Sequence, residues 1–390
     1  MTAAPGRTRV ALLGSTGSIG RSVLDVVLRH RDRFEIVAMT ANTSSELLAE
    51  QAARFDCPLL VIADGANDVP VPSGTEVRRG ARSLLEAASL PHADLVVNAL
   101  VGASGLPPTA AAIEAGKRLA LANKESLVMA GGVLTAAATA SGSTIVPIDS
   151  EHSSLRRCLK GRASEEIAGV ALTASGGALR DRAPEELADV SVEEVMRHPT
   201  WDMGPKVTVD SATLVNKAFE VIEARWLFNV PLDRIEVVLH QQSIAHCFVR
   251  LLDGSLLAHL SEPDMRVAIQ DAMFAPDAPP TELSGLRVWE LGTLSFEPVD
   301  TRRYPCFELV LDAARTGGTA PAIAAAADEV AVEAFVRGRI AFDRIRDVIE
   351  STLRSVESGP ADSLERVLDA DREARRTAEA AVDAGRRRDN

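Results

Sequence analysis

Val10-Ala-Leu-Leu13, Gly14-Ser15-Thr16-Gly17-Ser18-Ile19-Gly20 and Arg21-Ser-Val-Leu-Asp-Val-Val-Leu28 are the runs that decide the fold. The first is short, apolar and closed by glycine, as a buried strand is, and the last repeats its apolar residues at helical spacing. Strand, glycine-rich turn and helix in that order form the setting of a dinucleotide-binding loop. Glycines let the backbone approach a pyrophosphate, and the helix start supplies unbonded N–H groups at the positive end of its dipole. The spacing is GxxGxxG rather than GxGxxG, so by itself it also fits an ordinary tight turn. A second strand is predicted over Phe34–Ala41 and runs into Asn42-Thr43-Ser44-Ser45. No carboxylate stands there to hold a ribose 2′-hydroxyl, which tilts the expected cofactor from NAD towards NADP.

Outward from this loop, residues 9–148 alternate apolar strand-like runs with helical segments: Leu59–Ile62, Leu95–Val101, Leu119–Ala122 and Thr144–Ile148. That rhythm predicts a parallel, doubly wound α/β sheet of the Rossmann type over residues 1–149. From 150 to 275 the pattern changes. Strands are expected at Gly169–Ala174, Lys206–Val209, Ile235–Leu239, Ala245–Arg250 and Ser255–Leu260, among helices, which reads as a separate α+β domain. Pro276, Pro279 and Pro280 mark a linker over 276–300. Residues 301–390 read as an α-helical bundle, with Pro321–Phe335 and Arg339–Val356 as helices and Asp371–Asn390 as a frayed or exposed one.

A chain of 390 residues with a net charge of −13 has ample core and does not suit nucleic acid or an anionic membrane surface. Its four cysteines, Cys57, Cys158, Cys247 and Cys306, are scattered without metal-finger spacing and read as reduced thiols. No export signal and no membrane-spanning run is recognisable, so a cytoplasmic enzyme is expected.

The chemistry gathers in three places. Asp149-Ser150-Glu151 follows the strand Thr144–Ile148; if the strand extends that far, both carboxylates face one side. In Ser211-Ala-Thr-Leu-Val-Asn216-Lys217-Ala-Phe-Glu220, helical spacing would bring Asn216, Lys217 and Glu220 onto one face. Three carboxylates beside amide, hydroxyl and ammonium donors suit a hard divalent cation and a phosphorylated ligand. Ser175-Gly176-Gly177 closes a strand in a second turn fit for phosphate. His198-Pro-Thr-Trp201-Asp-Met203-Gly-Pro-Lys206 sets an imidazole, an indole and a thioether in a loop bounded by Gly and Pro. By default Trp201 reads as core and His198 as a structural histidine, unless the loop closes on a ligand.

Across nearly its whole length the chain resembles the 1-deoxy-D-xylulose 5-phosphate reductoisomerases. The matching strings are Gly14–Gly20, Ala120-Leu-Ala-Asn123-Lys124-Glu125-Ser-Leu-Val128, Pro147–His152, Ser175–Gly177, His198–Lys206, Asp210–Thr213 with Asn216, Lys217 and Glu220, Glu223–Phe228, Glu262-Pro-Asp-Met265 and Arg303–Cys306. The resemblance implies NADPH as reductant, held by the glycine loop, Asn42-Thr43-Ser44, Asn123 and Glu125. It implies Mg²⁺ or Mn²⁺ on Asp149, Glu151 and Glu220. Lys124 and Ser150 would meet the substrate oxygens, and Ser175, Ser211, Asn216 and Lys217 its phosphate, with His198 beside them. Trp201, Met203 and Met265 would border the substrate, the first two as part of a lid, and the protein would be a homodimer.

Three stretches depart from that family's pattern. Asn42-Thr43-Ser44 stands where many members carry Lys and Asn, His240-Gln241-Gln242-Ser243 lacks a proline, and Ala325-Ala326-Ala327-Asp328-Glu329 replaces an Asn-rich segment. A paralogue acting on a related phosphorylated or phosphonate compound, or a silent NADP sensor, are the rival readings. An intact set of metal carboxylates weighs against the sensor.

Overall fold

The computed structural model describes residues 6–64, 71–280, 283 and 285–386. The chain falls into two compact units that interleave along the sequence. One comprises Met1–Asn123, Leu134–Ser153 and Asp264–Leu283; the other comprises Lys124–Val133, Ser154–Pro263 and Ser284–Asn390.

In the first unit the strands are β1 (Thr8–Leu13), β2 (Phe34–Ala41), β3 (Leu59–Ile62), β4 (Glu76–Arg79), β5 (Leu95–Asn98), β6 (Arg118–Leu121) and β7 (Thr144–Pro147). All pair in parallel, in the order β4-β3-β2-β1-β5-β6-β7. Helices α1 (Ser18–Arg29), α2 (Ser45–Phe55), α3 (Gly80–Ala88) and α4 (Leu106–Glu114) connect them, and α5 (Lys124–Ser141) leads into β7. The near-continuous apolar strands are those of a sheet covered on both faces, and Val10, Leu12, Leu60, Leu95 and Val97 are almost wholly buried. The order reverses direction at β1, so the turn after β1 opens at the topological switch point of a doubly wound sheet. The expected fold class is the observed one; β4, polar and half exposed, was not among the predicted strands.

The linear boundaries expected at 149 and 275 do not follow the compact units. Helix α10 (Met265–Phe274), which comes after helices α6 (Ser150–Leu159), α7 (Val192–Met196), α8 (Pro205–Thr213) and α9 (Val215–Phe228), belongs with the parallel sheet rather than with the middle of the chain. Its Phe274 ring stands edge-on to Phe34 at 4.7 Å and to His30 at 4.9 Å, and Ile269, Ala272 and Met273 complete the same core. Arg266 fastens the helix to α1 through Asp25 at 3.1 Å.

The second unit is built on a mixed sheet ordered β11-β10-β8-β9-β12, made of β8 (Ile167–Ala174), β9 (Ile235–Leu239), β10 (Ala245–Leu251), β11 (Leu256–Leu260) and β12 (Glu297–Pro298). Helix α9 covers it. Indole Trp226 of α9 fits against α5 only because Gly131 has no Cβ; one there would lie 2.2 Å from the ring. The C-terminal helices α11 (Pro305–Thr316), α12 (Ala320–Val336), α13 (Arg344–Ser355) and α14 (Leu364–Arg386) pack around α12, whose buried positions are mostly alanine.

Three local predictions are corrected. Lys206–Val209 is not a strand but lies in α8: Gly204 and Pro205 start that helix, and Lys206 pairs with Asp210 one turn on. Asp149 and Glu151 are not two positions of an extended strand, because α6 begins at Ser150 and puts Glu151 in its first turn. The C-terminal helix is not merely exposed: Val367, Ala374, Ala378 and Val382 form a fully buried stripe. Residues 387–390, including two of the three arginines of the basic tail, lie outside the described residues.

Candidate active site

The glycine loop is built by its neighbours. Gly14 N–H donates to Thr40 Oγ1 at 3.0 Å and Ser15 N–H to Thr40 O at 2.9 Å, tying the turn to β2. Ser15 is fully buried, with its hydroxyl on Gln51 Oε1 at 2.7 Å, so it shapes the loop rather than presenting a hydroxyl outward. Gly20 lies so close beneath the turn that a Cβ would fall 2.2 Å from Gly14 O. This is a cradle in which only glycine lets the backbone fold tightly enough to receive a pyrophosphate. Ser18, Ile19 and Gly20 open α1, where N–H groups have no partner within the helix. Thr16 and Gly17 crown the turn. Asn123, buried at the end of β6, donates its amide to Leu100 O at 3.1 Å and Gly102 O at 2.9 Å and so holds the loop after β5. Asn42, Thr43 and Ser44 are exposed at the end of β2.

In the same unit Ser150 donates its hydroxyl to Glu151 Oε2 at 2.6 Å, and Asp149 Oδ2 lies 3.7 Å from His152 Nδ1. Met265, at the start of α10, packs half-buried against the core of this unit.

The second unit gathers most of the other predicted residues. Glu220, 2% exposed, is met by Lys124 Nζ at 3.1 Å, by Asn216 Nδ2 at 2.7 Å and by Lys217 Nζ. The helix expected from Ser211 to Glu220 is broken at Leu214, whose left-handed φ of +59° lets α8 hand over to α9. That break leaves Ser211 on one helix and Asn216, Lys217 and Glu220 on the next. Gly177 presses on Ser211: a Cβ would lie 2.6 Å from Ser211 O, and φ is +74°. Ser175 Oγ lies 3.0 Å from His198 Nε2, while His198 Nδ1 accepts the N–H groups of Thr200 at 3.2 Å and Trp201 at 2.9 Å. Since Nδ1 accepts, the ring proton sits on Nε2 and is donated to Ser175. Burial, with the Arg180 guanidinium nearby, holds the His198 pKa down to about 4, from 6.5, so this imidazole is neutral. Trp201 and Met203 are half-buried, neither core nor fully exposed.

Two features escaped the sequence. Arg180 donates to Ser175 O at 3.1 Å and Gln241 O at 3.3 Å, bracing the second glycine turn, and Tyr304 donates its hydroxyl to Gly176 O at 3.0 Å. Half-buried Lys206 meets Glu125 at 3.1 Å, Asp210 at 2.5 Å and Asp328 at 3.1 Å, with its ammonium 4.7 Å over the Phe219 ring. The Glu125 carboxylate, expected at the cofactor, is thus engaged by an ammonium. Burial raises both the Asp210 and Asp328 carboxyls, and at Asp210 repulsion by Asp328 adds to it, which favours a proton on the pair. Only contacts across a folded chain reveal such a cluster, since its members lie far apart in sequence.

Known proteins match nearly the whole chain. Family models described as 1-deoxy-D-xylulose 5-phosphate reductoisomerase match residues 10–131 and, for its C-terminal domain, 145–228; a further DXP reductoisomerase C-terminal model matches 260–377. A 1-deoxy-D-xylulose 5-phosphate reductoisomerase of Ralstonia nicotianae is 47% identical over 382 residues, covering 95% of this chain and 97% of its own. One from Halalkalibacterium halodurans is 44% identical, covering 94% of this chain and 97% of its own. Among solved structures, the Zymomonas mobilis reductoisomerase in complex with NADPH superposes with a TM-score of 0.87 at 38% identity, covering 97% of this chain and 99% of its own. A DOX-P reductoisomerase with NADPH, fosmidomycin and magnesium gives 0.89 at 36% identity, covering 96% and 98%. A glycine loop at the switch point, the Glu220 carboxylate of α9 with its ammonium partners Lys124 and Lys217, and near-complete coverage by relatives agree: this chain belongs to the 1-deoxy-D-xylulose 5-phosphate reductoisomerase family.

Proposed function

We propose that this protein converts 1-deoxy-D-xylulose 5-phosphate to 2-C-methyl-D-erythritol 4-phosphate in isoprenoid biosynthesis, a metal-dependent rearrangement followed by reduction with NADPH. Family membership over the whole chain supports the reaction, and the donor cluster around Glu220 is the single observation in this molecule that carries it. A buried carboxylate holding two ammonium groups and an amide is a place prepared for concentrated positive charge. Lys124 and Lys217 stand where a divalent cation would balance Glu220.

Asp149, Glu151 and Glu220 would hold Mg²⁺ or Mn²⁺, all through hard oxygen atoms. Bound there, the cation would polarise the substrate's carbonyl and hydroxyl oxygens while NADPH on the glycine loop supplies hydride. Lys124 and Ser150 orient those oxygens. Lys217, Ser175, Ser211 and Asn216 would bind the substrate phosphate. Neutral His198 donates from Nε2 and adds no charge that would compete with Lys217. The loop from His198 to Lys206 closes Trp201 and Met203 over the substrate and excludes water while the skeleton rearranges; Met265 borders the same substrate.

The reading places the enzyme in the cytoplasm; no helix among the described residues is long and apolar enough to cross a membrane. It also makes the enzyme a homodimer. Leu252, Leu256, Val288 and Trp289 of the second unit are 71%, 63%, 79% and 81% exposed, apolar side chains of the kind a second copy would cover.

The test is direct. Protein, NADPH, Mg²⁺ and 1-deoxy-D-xylulose 5-phosphate are mixed and nicotinamide absorbance is followed, with chelator as control. Metal-dependent loss of absorbance with methylerythritol phosphate as product is expected. No turnover on this substrate, with turnover on a related phosphonate, would establish the paralogue instead.

A further inference from the structure

The end of β2 offers NADPH only the neutral groups Asn42, Thr43 and Ser44. The extra charge of that cofactor over NADH is a 2′-phosphate, and burying it against neutral donors alone gives little preference. Two strands further out, β4 ends on Arg79. The parallel register carries Ala41 to Ile62 and Ile62 to Arg79, so the ends of β2, β3 and β4 lie level along the C-terminal edge of the sheet. Two strand spacings separate Ala41 from Arg79, about 10 Å, a gap that an arginine side chain and a phosphate bridge together.

A pocket of about 130 Å³ opens at this edge. Leu48, Leu60, Ile62 and Val77 form its apolar floor, while Ser45, at the first position of α2, and Arg79 supply its polar lining. The neighbouring Arg78 pairs with Glu76 at 2.7 Å and Glu86 at 3.3 Å. Arg79 itself is extended, at φ −133°, and Gly80 with φ +84° turns the chain at once into α3. That turn ends β4 at the pocket, with Arg79 among its lining residues. An apolar floor with a hydroxyl and a planar bidentate donor at the rim matches an adenosine that carries a phosphate on its ribose.

We propose that Arg79 is the residue by which this chain selects NADPH: its guanidinium, with Ser45 Oγ, binds the cofactor's 2′-phosphate. The assignment rests on the NADPH reading above and adds the group that reads the extra phosphate.

The experiment is titration of NADPH and of NADH into full-length protein, followed by nicotinamide fluorescence, for the wild type, R79A and R79K. Arg79 is exposed, and an unchanged melting temperature checks that both variants fold. R79A weakens NADPH binding about tenfold to a hundredfold, the loss of one charge-assisted bidentate contact, and moves NADH by less than about twofold. R79K recovers part of the difference, and the wild-type preference for NADPH shrinks as salt is raised. An unaltered NADPH-to-NADH ratio in R79A, or equal weakening of both nucleotides, overturns the assignment while leaving NADPH as cofactor. Failure of the wild type to bind NADPH overturns the cofactor reading, and this assignment with it.

Discussion

Two strand ends in this molecule turn on glycines, and they are built on opposite principles. The turn at Gly14–Gly20 runs into a long helix, hides its one buried hydroxyl on Gln51, and leaves backbone N–H groups at the helix start. The turn at Ser175–Gly177 runs into no helix and is met by side-chain donors, His198 at 3.0 Å from Ser175 and Arg180 bracing its carbonyl, while the Ser211 backbone lies against Gly177. A pyrophosphate shared by every dinucleotide is met by backbone geometry. On the proposed function, the single phosphate of the substrate would be met by side chains. The lesson is that glycine marks the place of approach in both, while only the surrounding residues tell which phosphate arrives.

The sharpest way to break this contrast is at Glu220. Glu220→Gln keeps the shape and removes the charge that the proposed metal site would need. Turnover should fall by at least about a hundredfold, the loss of a few kcal/mol of transition-state stabilisation. Near-normal turnover at ordinary Mg²⁺ would remove Glu220 from the metal site.

Next come the glycines themselves. Gly20→Ala puts a methyl 2.2 Å from Gly14 O, and Gly177→Ala puts one 2.6 Å from Ser211 O at a positive φ. Each costs about 1–3 kcal/mol locally. Steady-state kinetics should separate them: Gly20→Ala raises KM for NADPH about tenfold with KM for substrate little changed, and Gly177→Ala does the reverse. If both variants impair both ligands alike, the two turns do not serve different phosphates.

The smallest effect is in acid. His198 has its pKa at about 4 in the folded chain against an ordinary 6.5, so the unfolded chain binds the extra proton first as pH falls. Its stabilising contribution is therefore complete above pH 6.5 and is lost on descent through about 4. His198→Asn should flatten the fall in melting temperature over that window by about 1–3 °C. An identical pH profile for the variant would mean that His198 is protonated in the folded protein.

Much of this was legible in the residues. The parallel sheet announces itself because strands buried on both faces are apolar throughout, and the glycine loop because backbone approach leaves no alternative residue. Lys206–Val209 misled because Val207, Thr208 and Val209 are β-branched, yet the Gly204-Pro205 start and the Lys206–Asp210 pair settle it as helix. Asp149 and Glu151 were set on the wrong backbone, since nothing in Ile148-Asp149-Ser150 announces that the helix starts so soon. Helix α10 joins the parallel sheet through Phe274, Phe34 and His30, a partnership between residues hundreds of positions apart that no local pattern carries. Glu125 illustrates the remaining limit: its motif marks it, but its observed partner, Lys206, is supplied by tertiary packing.

Helix α12 looks compositionally simple, yet Ala322, Ala324, Ala327, Ala331 and Ala334 are all fully buried. Helices packed on methyl groups approach closely, so no void remains to absorb even one added methylene. The segment that an engineer would judge the most forgiving in the chain is thus among its least tolerant, and a library randomising this alanine run would return mostly alanine.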